Sequence, residues 1–418
     1  MPPSTTGRRN LSFTKLPLEI RQQVYENVLA TTPYGNTQLL RVCRQIYSEA
    51  QQYLFKRPVI LQSQFDFLDW VQTVPREHLF HVTKVQLRLV DMDSEEVFRI
   101  FRRHLTLAKV APTLDSPPLI PYEEECNRQM AKIEAALRSI PNIQHFTILQ
   151  PNSPTSGPSL YMYTSFLCLI ARIYPRLREL TLHATKISLS PLQSYQNLRS
   201  LTFCGWSTST PSETSHALQQ IPSLQAIEVF GPPPGLAFEQ RPGYTGAVQV
   251  QSFSSEVLRS IHPLKSFAIW DLQENPYDDR PFLTDDFFDA LGTHHSSLRT
   301  LKICTKGRPW KKAAKFVGYL WSSSLLCLEC MWDLTVLGFA EILPRSLETL
   351  AVLSSPLAIS PLVDGLLERR RELPAMRKMI MLRATADDPA FIKCFPELYQ
   401  RLRRRGILLS CEEACLHP

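Results

Sequence analysis

A hexamer of the form L-x-x-L-x-L returns again and again through this chain of 418 residues. It runs from Val82 (VTKVQL) and Ile143 (IQHFTI), then from Leu177, Leu198, Leu224, Leu264, Leu298, Leu325, Leu347 and Met376, and RGILLS near Ile407 supplies a last strand. One such match means little. Ten in a common register, with helical patterns between them, restrict the fold severely. Each strand-plus-helix unit is too small to cover its own apolar face, so neighbours laid side by side must bury a continuous core. The strands are expected to form a parallel sheet on a concave side, with helices on the convex side. A generic α/β sheet would have longer strands, rich in Val and Ile on both faces.

Strand alternation sharpens the expectation. The fourth and sixth positions of each hexamer point into the core. The third, fifth and seventh share the opposite face. The third and fifth are mostly small or polar, as in Glu179 and Thr181 or Ser200 and Thr202. The seventh is apolar or aromatic: Leu149, His183, Cys204, Phe230, Trp270, Cys304, Met331, Leu353 and Leu382. Two readings stand beside each other. The stripe is a protein-binding strip centred on Phe230, Trp270 and Met331 with His183 beside them, or it is a second small core under loops that fold over it.

Helical patterns with caps fill the intervals, at 123–140, 284–298, 311–321, 361–373 and 389–405, and the apolar run from Leu160 to Tyr174 predicts a buried helix. That run is too short and too interrupted for a membrane span. The 33 prolines and only 14 glycines read as punctuation between short elements, not as phosphate-cradling loops. The 10 scattered cysteines and the lack of a secretory h-region predict reduced thiols in the cytoplasm or nucleus. The charge balance, 46 Lys and Arg against 39 Asp and Glu, is too weak and too spread to predict nucleic-acid binding.

Residues 1–12 read as a flexible tail and 13–60 as a separate helical module. In FTKLPLEIRQQVYENVLA, Thr14 is the expected N-cap, Pro17 fits the first turn, and Leu16, Ile20, Val24 and Val28 share a face. TPYGN at 32–36 breaks the helix, and LLRVCRQIYSEAQQYLFKR predicts a second one. LPLEIRQQVYENVL followed by LLRVCRQIYSEAQQYLF resembles the F-box-like module of fungal proteins, over about a tenth of the chain. The hexamers behind it are similar to the leucine-rich repeats that follow many F-box modules. The resemblance implies docking on the Skp-type adaptor of a cullin–RING ubiquitin ligase through Leu16, Pro17, Ile20, Leu39, Val42 and Cys43. The chain departs from the family in its polar, Tyr-Gly-containing break and in a third helix reduced to Tyr53, Leu54 and Phe55. The competing role for these helices is a cap on the open end of the repeat array.

The resulting fold class is α/β, an F-box-like helical module followed over 61–418 by an irregular leucine-rich-repeat solenoid. The expected function is a non-catalytic substrate receptor of an SCF-type ligase whose repeats hold a protein substrate. The alternative is a leucine-rich-repeat scaffold with the helices as a cap. No catalytic, metal or cofactor residues are expected, nor a nucleic-acid or membrane partner. G-x-S-x-G, H-E-x-x-H, P-loop and G-x-G-x-x-G patterns do not occur. Cys327 and Cys330 form a CxxC without a second pair at zinc spacing, so structural thiols are expected. His294 and His295 end a predicted helix, where a cation complements the dipole. The arginines at 369–371 and 401–405 are read the same way.

Overall fold

A computed structural model of the chain describes residues 13–30, 37–89, 120–149, 157–184, 187–231, 250–271, 284–305, 313–331, 339–353, 356–383 and 389–413. The tail expected at 1–12 and the break at 32–36 lie outside the described residues. The chain forms two compact units, Met1–Pro151 and Asn152–Pro418. The division falls inside the repeated pattern, after its second hexamer.

The first unit opens with a 3-10 turn at Phe13–Lys15 and helix α1, Leu18–Tyr25. Thr14 sits in that turn and is not the N-cap; Pro17 takes the cap position, with φ −51° and ψ 147°. The second predicted helix is also divided. A 3-10 turn at Thr37–Arg41 is followed by helix α2, Arg44–Leu54, and extended Cys43 between them makes the break. Tyr25, Leu29, Ile46, Ala50 and Tyr53 form a core of their own, with Phe13, Leu39 and Leu40 packed on it. Strand β1 (Val59–Leu61), helices α3 (Gln64–Thr73) and α4 (Arg76–Leu79), strand β2 (Lys84–Arg88), helix α5 (Ile120–Arg138) and strand β3 (His145–Leu149) complete the unit. The three strands pair in parallel, in chain order.

The second unit alternates helix and strand. Its helices are α6 (Gly157–Ile173), α7 (Pro211–Gln219), α8 (Ser255–Ser260), α9 (Asp285–Gly292), α10 (Ala313–Ser322), α11 (Pro356–Glu368) and α12 (Pro389–Arg403). Strands β4 (Glu179–His183) and β5 (Ser200–Cys204) precede a small antiparallel pair, β6 (Trp206–Ser207) with β8 (Val250–Gln251), which brackets β7 (Ala226–Phe230) in sequence. Strands β9 (Ser266–Asp271), β10 (Thr300–Thr305), β11 (Cys327–Met331), β12 (Thr349–Leu353), β13 (Lys378–Arg383) and β14 (Leu408–Glu413) follow. All pairings of the main sheet in this unit are parallel and run β4-β5-β7-β9-β10-β11-β12-β13-β14. Every hexamer named above therefore becomes a strand.

The alternation is as expected. In β4, Leu180 and Leu182 are buried while Glu179, Thr181 and His183 are not, and β7 repeats the pattern. The first position is a second core row, since Leu177, Leu198, Leu224, Leu264, Leu298, Leu325 and Leu347 are all buried. The core-facing residues meet the helices: Phe267 on β9 packs against Phe287 on α9, ring centroids 5.8 Å apart.

Register is fixed where each strand starts. The carbonyl of a second-position residue accepts the N–H groups of two successive residues of the next unit, as Arg178 does from Arg199 (2.7 Å) and Ser200 (3.0 Å). Arg199, Gln225, Lys265, Arg299, Leu326 and Glu348 repeat it. The residue before the hexamer adds a side-chain stitch back to the preceding turn. Asn197 Nδ2 donates to the Pro175 carbonyl, and the Ser223, Ser297, Ser324 and Ser346 hydroxyls donate to carbonyls one repeat earlier. These stitches satisfy turn carbonyls that a buried loop would otherwise strand. Helix ends are equally explicit. Thr210 and Glu213 form a reciprocal capping box on α7. Gly406, at φ 74°, closes α12 in the left-handed conformation that favours glycine, with Ile407 N–H on the Leu402 carbonyl.

Candidate functional site

Two surfaces were singled out by the sequence, and the structure treats them differently. On the helical module, Arg21 ties the beginning of α1 to α2. Its Nε and Nη2 donate to the two carboxylate oxygens of Glu49, at 2.9 and 2.7 Å. Its Nη1 donates to the carbonyls of Thr14 and Leu16. Tyr25 Oη donates to the same carboxylate, at 2.9 Å. The bidentate geometry and two added carbonyls satisfy most donors of a largely buried guanidinium. Arg21 holds the Glu49 carboxyl down to about 2, helped by Gln45, whereas burial first, and then the Glu49 bond, push the Tyr25 phenol up to about 12.

This clamp holds α1 against the middle of α2, and apolar residues at the beginning of each helix face water. Ile20 is 44% exposed and Val42 65%, with Leu18 and Tyr47 exposed as well. Pro17 and Cys43 are exposed, and Leu16 and Leu39 are half-buried, Leu39 against the module's own core. Of the six residues carried by the resemblance, four thus lie open. Extended Cys43 at the head of α2 is what turns it and Val42 outward.

The seventh-position stripe is placed on the expected face but is not an open strip. Trp270 is 6% exposed and forms a cluster with Cys304, Ala351 and Leu382, on which Phe230, Leu353 and Ile380 pack. Trp270 Nε1 donates to Glu228, which also accepts from Thr202 Oγ1 at 3.1 Å. His183 and Phe230 are half-buried and stack, centroids 5.0 Å apart. Met331 ends β11 opposite Cys304 in register, and its side chain lies outside the described residues. Of the two readings of the stripe, the burial of Trp270 agrees with a small core. An indole on a sheet face adjoining other apolar seventh positions buries itself with them, because that removes more apolar area from water than standing alone. Lys302 and Glu329, 2.8 Å apart, form the polar margin of this cluster.

The cysteines behave as core residues. Cys327 and Cys330 stand three positions apart on β11 and so face opposite sides of the sheet, which prevents a shared metal or a mutual disulfide. Burial pushes the Cys204 thiol up to about 12 and raises that of Cys330, so both stay protonated. Among the described residues, no His, Cys, Asp and Glu group could hold a metal ion, and no helix is long and apolar enough to cross a membrane.

His294 is not the dipole partner that its position at a helix end suggests. It is buried, its Nε2 on the Leu258 carbonyl (2.8 Å) and its Nδ1 against the Leu264 N–H (3.3 Å), which fixes a neutral ring protonated at Nε2. Burial lowers its pKa from the ordinary 6.5, the Leu258 bond opposing. The unfolded ring then binds protons first. Stability of the second unit is predicted to be full above 6.5 and to fall as pH drops through and below that value. Thermal melts across this range should show it, and His294→Gln should flatten the curve. An unchanged slope would assign the loss to other groups.

The arginines read as helix-end cations are held by other partners: the helix before Arg369 has no basic residue in its last turn, and Arg401, in the last turn of α12, pairs with Asp364 of α11. Arg369 donates to the Ala340 carbonyl and pairs with Glu372, and Arg370 donates to the carbonyls of Leu373 and Arg405. Neither the protein-family models nor the curated proteins provide a match to this chain.

Proposed function

We propose that this chain is a non-catalytic substrate receptor of an SCF-type ubiquitin ligase. Its N-terminal helices are the F-box-like module that docks on a Skp-type adaptor, and its parallel units are an irregular leucine-rich-repeat array that holds a protein substrate. The observation carrying this reading is the solvent-facing set Pro17, Ile20, Val42 and Cys43 on a module that already has its own core. A folded module gains nothing from apolar residues in water unless a partner covers them. The chain itself does no chemistry; holding substrate near a bound conjugating enzyme raises its effective concentration. The compartment that follows is the cytoplasm or nucleus.

A second reading, a leucine-rich-repeat scaffold with these helices as a cap, is favoured by one contact. Phe55, just past α2, stacks on His78 of α4 with centroids 4.8 Å apart and planes within 8°. That contact uses the far end of α2 and leaves the Ile20 and Val42 surface free, so capping and docking are compatible.

Co-purification with a Skp-type adaptor distinguishes them. Wild type should retain the adaptor, and Ile20→Asp/Val42→Asp should weaken retention roughly tenfold or more, because a charge at the centre of an apolar contact removes a hot spot. Both side chains are exposed, so the fold should survive the change. Failure of the wild-type chain to retain any adaptor would sink the ligase reading.

A further inference from the structure

A second surface lies along the edge of the second unit where the strands begin. There the second-position side chains of adjacent, parallel strands stand in a row. Along β4, β5, β7, β9 and β10 they are Arg178, Arg199, Gln225, Lys265 and Arg299. All but Gln225 are exposed. The turns that carry them, 174–178, 195–199, 221–225, 261–265 and 294–299, contain no Asp or Glu, and Arg176 adds a further exposed cation. The nearest acid in sequence, Glu179, belongs to the third-position row on the sheet face. Arg299 is partly engaged by Ser324, while the described residues offer Arg178, Arg199 and Lys265 no carboxylate partner.

An apolar end adjoins this row. The next strand, β11, places Leu326 at the second position, and Trp321 lies in the last turn of the helix leading to it. Trp321 is 75% exposed, and these two are among the few large apolar side chains open to water in this unit. Backbone positions along the row are fixed by the paired N–H bonds on each second-position carbonyl, so the cations are presented at constant spacing. Strands lie about 4.8 Å apart, so the row from Arg178 to Leu326 covers about 24 Å, the reach of an extended segment of roughly seven residues.

We propose that this edge, from Arg178 to Leu326 and Trp321, docks an extended acidic protein segment bearing an apolar residue at one end. Carboxylates would lie along Arg178, Arg199, Lys265 and Arg299, and the apolar residue on Leu326 and Trp321. Charge complementarity selects an anionic partner. Among the described residues of these turns, the Tyr174 and Tyr195 rings are buried and no Phe, Tyr or Trp is exposed between the cations to stack on bases, which favours a protein over single-stranded nucleic acid. The proposal deepens the receptor reading by giving the chemistry of the cargo, and rests on that reading for the cargo being a substrate; it shares no residue with the adaptor surface.

Fluorescence anisotropy on the full chain tests it. The probes are a labelled Glu/Asp peptide ending in Leu-Trp, the same acidic peptide ending in Gly-Ser, the Leu-Trp peptide with Gln/Asn for the acids, and an oligothymidine. The acidic peptide should bind and weaken as salt rises. Arg178→Gln/Arg199→Gln/Lys265→Gln should lose roughly tenfold or more, and Trp321→Ala should lose affinity only for the peptide with the apolar end. Unchanged melting of these variants would show that the fold is intact. Equal binding of the amide peptide, indifference to the triple substitution, or tighter binding of oligothymidine would overturn the assignment. Ile20→Asp/Val42→Asp should bind the peptide normally, and the triple variant should keep the adaptor, so the two proposals fail separately.

Discussion

Phe267→Ala is expected to destabilise the second unit by about 3–5 kcal/mol, the usual cost of deleting a fully buried aromatic ring. Phe267 occupies the fourth position of β9 and is inaccessible to solvent. It stands inside a run of rings that crosses the repeats. Phe203 meets Phe253 at 5.9 Å, Phe253 meets Phe267 at 6.0 Å, and Phe287 and Phe288 carry the run to Phe316 on α10. The substitution removes two ring contacts at once and leaves a cavity between the sheet and α9. Against a whole-domain stability of about 5–15 kcal/mol, this makes the unit marginal. Phe267→Leu keeps much of the volume and should cost less than half as much. Urea titration measures both. A shift below about 1 kcal/mol for the alanine variant would mean that the ring run is incidental to stability.

Arg21→Met is expected to unfold the helical module while leaving the second unit intact. The methionine fills the stem of the arginine but leaves the Thr14 and Leu16 carbonyls without their donor and the Glu49 carboxylate with only Tyr25 and Gln45. The module's own core is small, so it has little else to hold α1 on α2. Hydrogen exchange should show lost protection across α1 and α2, with α9 and β9 unchanged. Acid should mimic the substitution. The Glu49 carboxyl titrates at about 2 in the folded chain against 4.5 ordinarily, so the clamp's contribution is complete above 4.5 and is lost as pH falls through about 2. In Arg21→Met this acid-dependent step should vanish. An identical pH profile in both proteins would show that the pair does not hold the module.

What the sequence makes legible is local. Strand register in β4 or β7 can be read directly, because alternation of Leu180 with Thr181 is a property of five consecutive residues. The seventh-position stripe shows the limit. Its apolar character is visible in Phe230 and Trp270, but whether Trp270 meets solvent depends on Cys304, Ala351 and Leu382, on strands far along the chain. Arg21 and Glu49 are 28 residues apart, and each alone reads as an ordinary surface charge. His294 similarly looks like a helix-end cation until Leu258 and Leu264 are brought to either side of the ring. The short strands β1, β6 and β8 lack the hexamer and take their conformation from tertiary pairing. Of the six residues named by the resemblance, four are exposed; the split between open Val42 and half-buried Leu39 came from the break at Cys43, which the continuous apolar periodicity concealed.

The paired bonds at each strand start divide freedom of length unevenly between the two edges of the sheet. From the end of α7 at Gln219 to β7 at Ala226, from Ser260 to Ser266, and from Ser322 to Cys327, the approach to a strand is short, and the longest, from Glu368 to Lys378, still has fewer than ten residues between. Beyond the strands the interval is elastic: two residues lie between Leu353 and Pro356, while thirteen separate Asp271 from Asp285. Each strand start thus resets the count. An inserted residue on the far side stays a local event and is never passed on as a phase error to the next strand. Such a chain can vary its outlines at one edge over long divergence while the other edge, with its row of cations, keeps a fixed pitch.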